Sequence, residues 1–154
     1  MADSKTLILG LGNPILSDDG VGLVVAERLR ERVDGVDVIS TPLTGLHLLD
    51  LMVGYDSVFL IDAMITTESQ PGELTFIRPD EISLPTLCSH GFNLLEILKL
   101  GKKLGLSVPQ LKWVYGITIG RSPAFGEEPS SQLMGKVEAM AAQIADHVKK
   151  QLGG

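Results

Sequence analysis

Along this chain, short apolar runs alternate with stretches whose apolar residues recur every three or four positions, the pattern expected of strands exchanged with amphipathic helices. Thr6-Leu-Ile-Leu9 is apolar and β-branched at two positions, which suits a strand buried on both faces of a parallel sheet. Val21, Val25, Leu29 and Val33 follow at helical spacing, with Ser17 or Asp18 able to cap the helix start. Val36 to Ser40 reads as a second strand, Gly45 to Met52 as a short helix carrying Leu46, Leu48, Leu49 and Met52, and Ser57 to Asp62 as a third strand. Gly72 to Arg78, entered through the Pro71-Gly72 turn, alternates like a strand with one wetter face. Only about nine residues separate it from the strand before, too few for a crossover helix, so it is expected to run antiparallel at an edge.

The second half repeats the alternation. Ser89 can cap a helix reaching about Leu104, with Leu94, Leu95, Leu98 and Leu100 as its apolar contacts, and Lys112 to Ile119 is the last strand. A Pro- and Gly-rich stretch from Gly120 to Pro129 leads to a final helix with Leu133, Val137, Met140, Ala141, Ile144 and Val148 on one face. The order βαβαββαβα predicts a three-layer α/β/α sandwich whose five-stranded, mostly parallel sheet has one antiparallel edge strand. At 154 residues and 44% hydrophobic content the chain is expected to form one domain, residues 1–154.

Charge narrows the partners. A formal net charge of -6 argues against nucleic acid, because phosphate binding needs clustered Lys and Arg, and the basic runs here fall on helix faces. The first apolar run breaks at Gly10, far short of the roughly 20 residues of a membrane span, so no membrane association is expected. A single cysteine, Cys88, excludes an internal disulfide and fits a cytoplasmic protein.

The chemistry concentrates in Gly10-Leu-Gly-Asn-Pro-Ile-Leu-Ser-Asp-Asp-Gly-Val-Gly22, a glycine turn followed by two acids between a strand and a helix. In open α/β sheets ligands bind in the crevice beyond the carboxyl ends of the strands, where Asp18 and Asp19 are expected to fall. Asp62, after four apolar residues, is expected to end its strand on the same rim, where an uncompensated charge costs several kcal/mol. His90, in Cys88-Ser-His-Gly91, would occupy the first turn of the next helix. The positive end of a helix dipole disfavours imidazolium, and neutral imidazole is the form that ligates metal. Two carboxylates and one imidazole suit zinc, nickel or a related divalent ion with open positions. His47 and His147 read as surface or packing residues, and Cys88 as packing. A dinucleotide fingerprint fails because Ile15 stands at its third glycine, and a P-loop fails for want of Gly-Lys-Ser/Thr.

The opening segment, Leu60-Ile-Asp-Ala63 and Ser89-His-Gly-Phe-Asn-Leu-Leu-Glu96 together resemble the nickel-iron hydrogenase maturation endopeptidases, with the similarity running in order from the first strand to at least Gly116. The resemblance implies an endopeptidase that removes a C-terminal extension from the precursor of a hydrogenase large subunit after nickel insertion. It implies metal contact by Asp19, Asp62 and His90, to nickel borne by the substrate, with zinc or another divalent ion as the alternative occupant. It also implies a five-stranded mixed sheet of the phosphorylase/hydrolase-like type, shared with peptidyl-tRNA hydrolases. Asp19 stands where glutamate is common in the family, and Thr41-Pro-Leu-Thr-Gly45 and Gly116-Ile-Thr-Ile-Gly120 depart from its usual loops. Asn13 and the amides of the glycine turn are candidates to support an oxyanion or orient a bound tail, with Asp18 as a possible supporting residue. Two rivals stand beside this reading: a non-catalytic metal-binding maturation factor on the same fold, and a peptidyl-tRNA hydrolase-like esterase. The acidic pair and the net charge disfavour the esterase.

Overall fold

The computed structural model describes residues 4–15, 17–65, 70–81, 91–120 and 129–153. Its strands are β1 (Thr6–Leu11), β2 (Asp37–Thr41), β3 (Ser57–Ile65), β4 (Leu74–Ile77) and β5 (Gln110–Ile119). Its helices are α1 (Val21–Leu29), α2 (His47–Met52), α3 (Gly91–Lys103), α4 (Ser131–Met134) and α5 (Val137–Gly153). The strands form one sheet in the order β2-β1-β3-β5-β4. All neighbours are parallel except β4, which runs antiparallel to β5 at the edge, as the short connection before it requires.

Strand alternation divides the core in two. Ile8, Phe59, Ile61, Tyr115 and Ile117 face α1 and α5, while Leu7, Leu9, Val58, Leu60 and Val114 face α2 and α3. Because both faces are covered, β1 is entirely buried and, after Thr6, apolar. Two sequence expectations are corrected. The final helical stretch is split, with α4 ending at Gly135 before α5 starts at Val137, and α1 ends at Leu29 although Val33 beyond it is still buried.

The approach of α1 to the sheet is unusually close. A Cβ on Gly10 would lie 2.5 Å from the Cβ of Ala26, and one on Gly22 would lie 2.5 Å from the carbonyl oxygen of Leu11 and 2.9 Å from that of Ile61. Backbone atoms on the strands cannot give way as a flexible side chain would, so the helix rests on two adjacent strands only because Gly22 lacks a side chain.

At the far edge, Tyr115 is buried and its hydroxyl lies 2.8 Å from Nδ1 of His147 on α5. The His147 ring sits 4.6 Å from Phe76 and 4.7 Å from Trp113 between ring centroids, so it serves in packing. Burial first, and then the charge of Lys150, hold His147 below its ordinary value of 6.5.

Gly22→Ala is expected to cost about 1–3 kcal/mol of stability through overpacking, whereas Gly120→Ala, with no atom within 4 Å of its added Cβ, is expected to be close to neutral; urea denaturation measures both. For His147 the unfolded imidazole takes up a proton that the folded one resists. Stability is therefore expected to be complete above pH 6.5 and to fall as pH drops from there toward the lowered folded value. His147→Gln should flatten that part of the profile in denaturation curves measured across pH.

Candidate functional site

The site is built where β1 ends. Beyond Leu11 the chain turns at Gly12 and Asn13, and the Asn13 side-chain oxygen accepts a hydrogen bond from the Ile15 amide at 3.1 Å, an Asx-type turn. The Asn13 amide in turn donates to Oδ2 of Asp19 at 2.9 Å. Gly12 lets the returning segment close on itself, since a Cβ there would stand 2.5 Å from the carbonyl oxygen of Asp19. Ser17–Gly20 forms a 3-10 turn that packs against β3 and runs straight into α1.

This arrangement corrects the expected cap. Gly20 occupies the N-cap position of α1 with no side-chain capping bond. The acids are committed elsewhere: Asp19 to the Asn13 amide, and Asp18 to the amide of Ser130, 2.7 Å from its Oδ1. No sequence signal announces the second contact, because any residue supplies a backbone N–H.

Asp62 is fully buried and its Oδ1 accepts from the Ala63 amide at 2.9 Å, among other partners. It does not end its strand, contrary to expectation, because β3 continues to Ile65 by pairing with β5, where Asp62 lies opposite Gly116. The ladder with β1, however, stops at Gly10 and Ile61. Asp62 is thus the first residue of β3 beyond that ladder, and alternation sets it on the face of Leu60, toward α2 and α3.

Asp19 and Asp62 are brought to one corner by the same glycine contact. A Cβ on Gly22 would lie 3.4 Å from the Asp62 Cα, and Gly22 is three residues from Asp19. Asp19 is itself 8% exposed. Two buried carboxylates at a corner are a donor pair suited to a divalent cation. Among the described residues no group of three His, Cys, Asp or Glu forms a complete metal site. His90, the expected third member, lies outside the described residues, as do Cys88 and Ser89; α3 begins at Gly91. Asn13 is engaged in shaping the turn through both its amide and its side-chain oxygen.

A hollow of about 650 Å³ lies elsewhere, against Lys5, Gly35, Asp37 and Tyr55 at the amino ends of the strands. Chemistry in this architecture belongs to the carboxyl ends, and the acidic corner outranks the larger volume.

Solved structures share this fold. The hydrogenase maturating endopeptidase HybD from E. coli superposes with a TM-score of 0.72 over 96% of this chain and 93% of its own, at 21% identity. The NiFe hydrogenase maturation protease HybD from Thermococcus kodakarensis does so with a TM-score of 0.67 over 94% of this chain and 98% of its own, at 25% identity. In sequence, the hydrogenase 2 maturation protease of Escherichia coli K12 is 27% identical over 138 residues, 84% of this chain and 83% of the relative. The profile of the hydrogenase maturation protease family matches residues 23–151, and the chain belongs to that family. It is therefore an endopeptidase of hydrogenase maturation. No helix among the described residues is long and apolar enough to cross a membrane.

Asn13→Ala is expected to cost about 1 kcal/mol through loss of the turn hydrogen bond, and Asn13→Asp to retain most of it, as measured by thermal unfolding.

Proposed function

We propose that this endopeptidase removes the C-terminal extension of the large-subunit precursor of a NiFe hydrogenase, and that Asp19, Asp62 and His90 engage a nickel ion carried by that precursor. The observation that carries the reading is the burial of Asp62 beside the glycine-packed turn that holds Asp19. Withdrawing carboxylates from water costs several kcal/mol, and a cation arriving with the substrate offsets part of that cost. An unloaded precursor brings no such compensation. Nickel loading thereby becomes a condition of docking, and the scissile peptide is presented only when the metal is in place. Bound there, the ion would be placed to polarise a carbonyl or activate water. Oxygen and imidazole donors suit nickel, with zinc or another divalent ion as a substitute. The reaction belongs in the cytoplasm, in keeping with a chain that has one cysteine.

The test is a processing assay with nickel-loaded and nickel-free precursor. Wild-type protein is expected to cleave the loaded form alone. Asp19→Asn, Asp62→Asn and His90→Ala are each expected to lower cleavage by about a hundredfold or more while circular dichroism shows a folded protein. Unimpaired cleavage by His90→Ala would overturn the assignment of the triad. Binding of loaded precursor without cleavage by the wild-type protein would favour a non-catalytic maturation factor.

A further inference from the structure

Another hollow opens at the same end of the sheet as the acidic corner, on the α1 side. Its volume is about 200 Å³, and it is lined by Pro14, Gly20, Leu23, Val24 and Pro129, with Glu27 and Ser40 at one end. Gly20, which lines it, follows Asp19 in the 3-10 turn, so one turn contributes to both the hollow and the corner. We propose that it is a specificity pocket for one apolar side chain of the polypeptide being cut, close to the scissile bond. This inference rests on the proteolytic reading above.

Size decides what kind of ligand fits. Pockets for small molecules typically run from about 300 to 1,000 Å³, and this one falls below that range, at the scale of a single side chain. Its polar end does not ask for a cation. The Glu27 carboxylate accepts from Nε and Nη2 of Arg30 at 2.7 and 3.2 Å and from the Ser40 hydroxyl at 2.5 Å, so its charge is already met. What remains is the aliphatic and proline wall, which favours an apolar group. The surrounding rim carries the same character. Ile15 is 57% exposed, and Leu43 and Leu46 are 43% and 58% exposed on the loop leaving β2 at the same end of the sheet. Large apolar side chains held in water on adjoining loops provide a bed for an extended polypeptide.

The pocket is assembled from distant parts of the chain, and Asp18 joins them. Its Oδ1 receives the Ser130 amide at 2.7 Å, and Ser130 begins α4 by accepting the Leu133 amide on its hydroxyl at 3.4 Å. Pro129, buried and one residue before that contact, is thereby fixed as a wall. Asp18 is a positioning residue of the pocket, whereas Asp19 belongs to the corner.

The test uses the full chain and the large-subunit precursor, with residues on either side of the cleavage junction replaced singly by Gly, Ala, Leu or Asp. Leu23→Trp, which fills the pocket, is expected to raise KM about tenfold with little change in kcat, and the loss should be recovered at one junction position by a smaller side chain. Leu23→Ala should shift preference at that same position toward a larger one. Asp18→Ala should raise KM and relax the preference, and Asp18→Asn, which keeps the acceptor oxygen, should restore both. The Leu23 and Val24 methyl resonances are expected to shift when precursor is added. Unchanged KM and preference in all four variants, or unshifted methyls at saturating precursor, would overturn the pocket. If the wild-type protein binds precursor without cutting it, the proteolytic reading fails, and the pocket is judged on the methyl shifts alone.

Discussion

The seating of α1 on the sheet governs both the core and the candidate site. Gly22 rests against the carbonyl oxygens of Leu11 and Ile61, one on each of two neighbouring strands, and Gly10 rests against Ala26. A single methyl group at Gly22 would have to displace backbone rather than side chain. The helix would then lift, the 3-10 turn before it would follow, and Asp19 would move away from Asp62. The contact that closes the apolar layer of Val21, Val25 and Leu29 is therefore the one that brings the acids to a corner. Stability and site geometry share one constraint here.

Adjacent acids have been given separate tasks by the turn that carries them. Successive residues of a 3-10 turn point about 120° apart, given three residues per turn, so Asp18 and Asp19 cannot address the same space. One reaches out to Ser130 and the other back to Asn13. The Asp-Asp dipeptide is thus no carboxylate dyad. The second carboxylate of the corner comes from β3.

Much of the architecture was readable from residue order, because each signal was local. Apolar runs gave strands buried on both faces, and the short link from β3 to β4 left antiparallel pairing as the remaining geometry. What could not be read depended on partners remote in sequence. Asp62 looked like a strand end because a charge usually leaves a sheet, yet pairing of its backbone with Gly116 carries β3 three residues further. The bond from Ser130 to Asp18 spans 112 positions and leaves no trace in residue type. His147 reads from the sequence as a surface or packing residue, and the meeting of β4, β5 and α5, remote in sequence, decides for packing by supplying the rings that surround it. His90, the third expected member of the triad, lies outside the described residues.

The strand order explains why this corner, rather than another, carries the acids. From β1 the chain crosses through α1 to β2 on one side, then returns through α2 to β3 on the other. The helices on these two connections cover opposite faces, so the sheet is left open between the carboxyl ends of β1 and β3. Asp19 follows β1, and Asp62 stands one residue past the last rung that β1 shares with β3. A carboxylate one residue earlier would point into the layer of α1 and α5. Two residues earlier, it would be walled in by β1. Only at position 62 does the pleat turn an acid away from α1 while its strand has already outrun its neighbour, which sets a buried carboxylate at the carboxyl-end rim of the sheet.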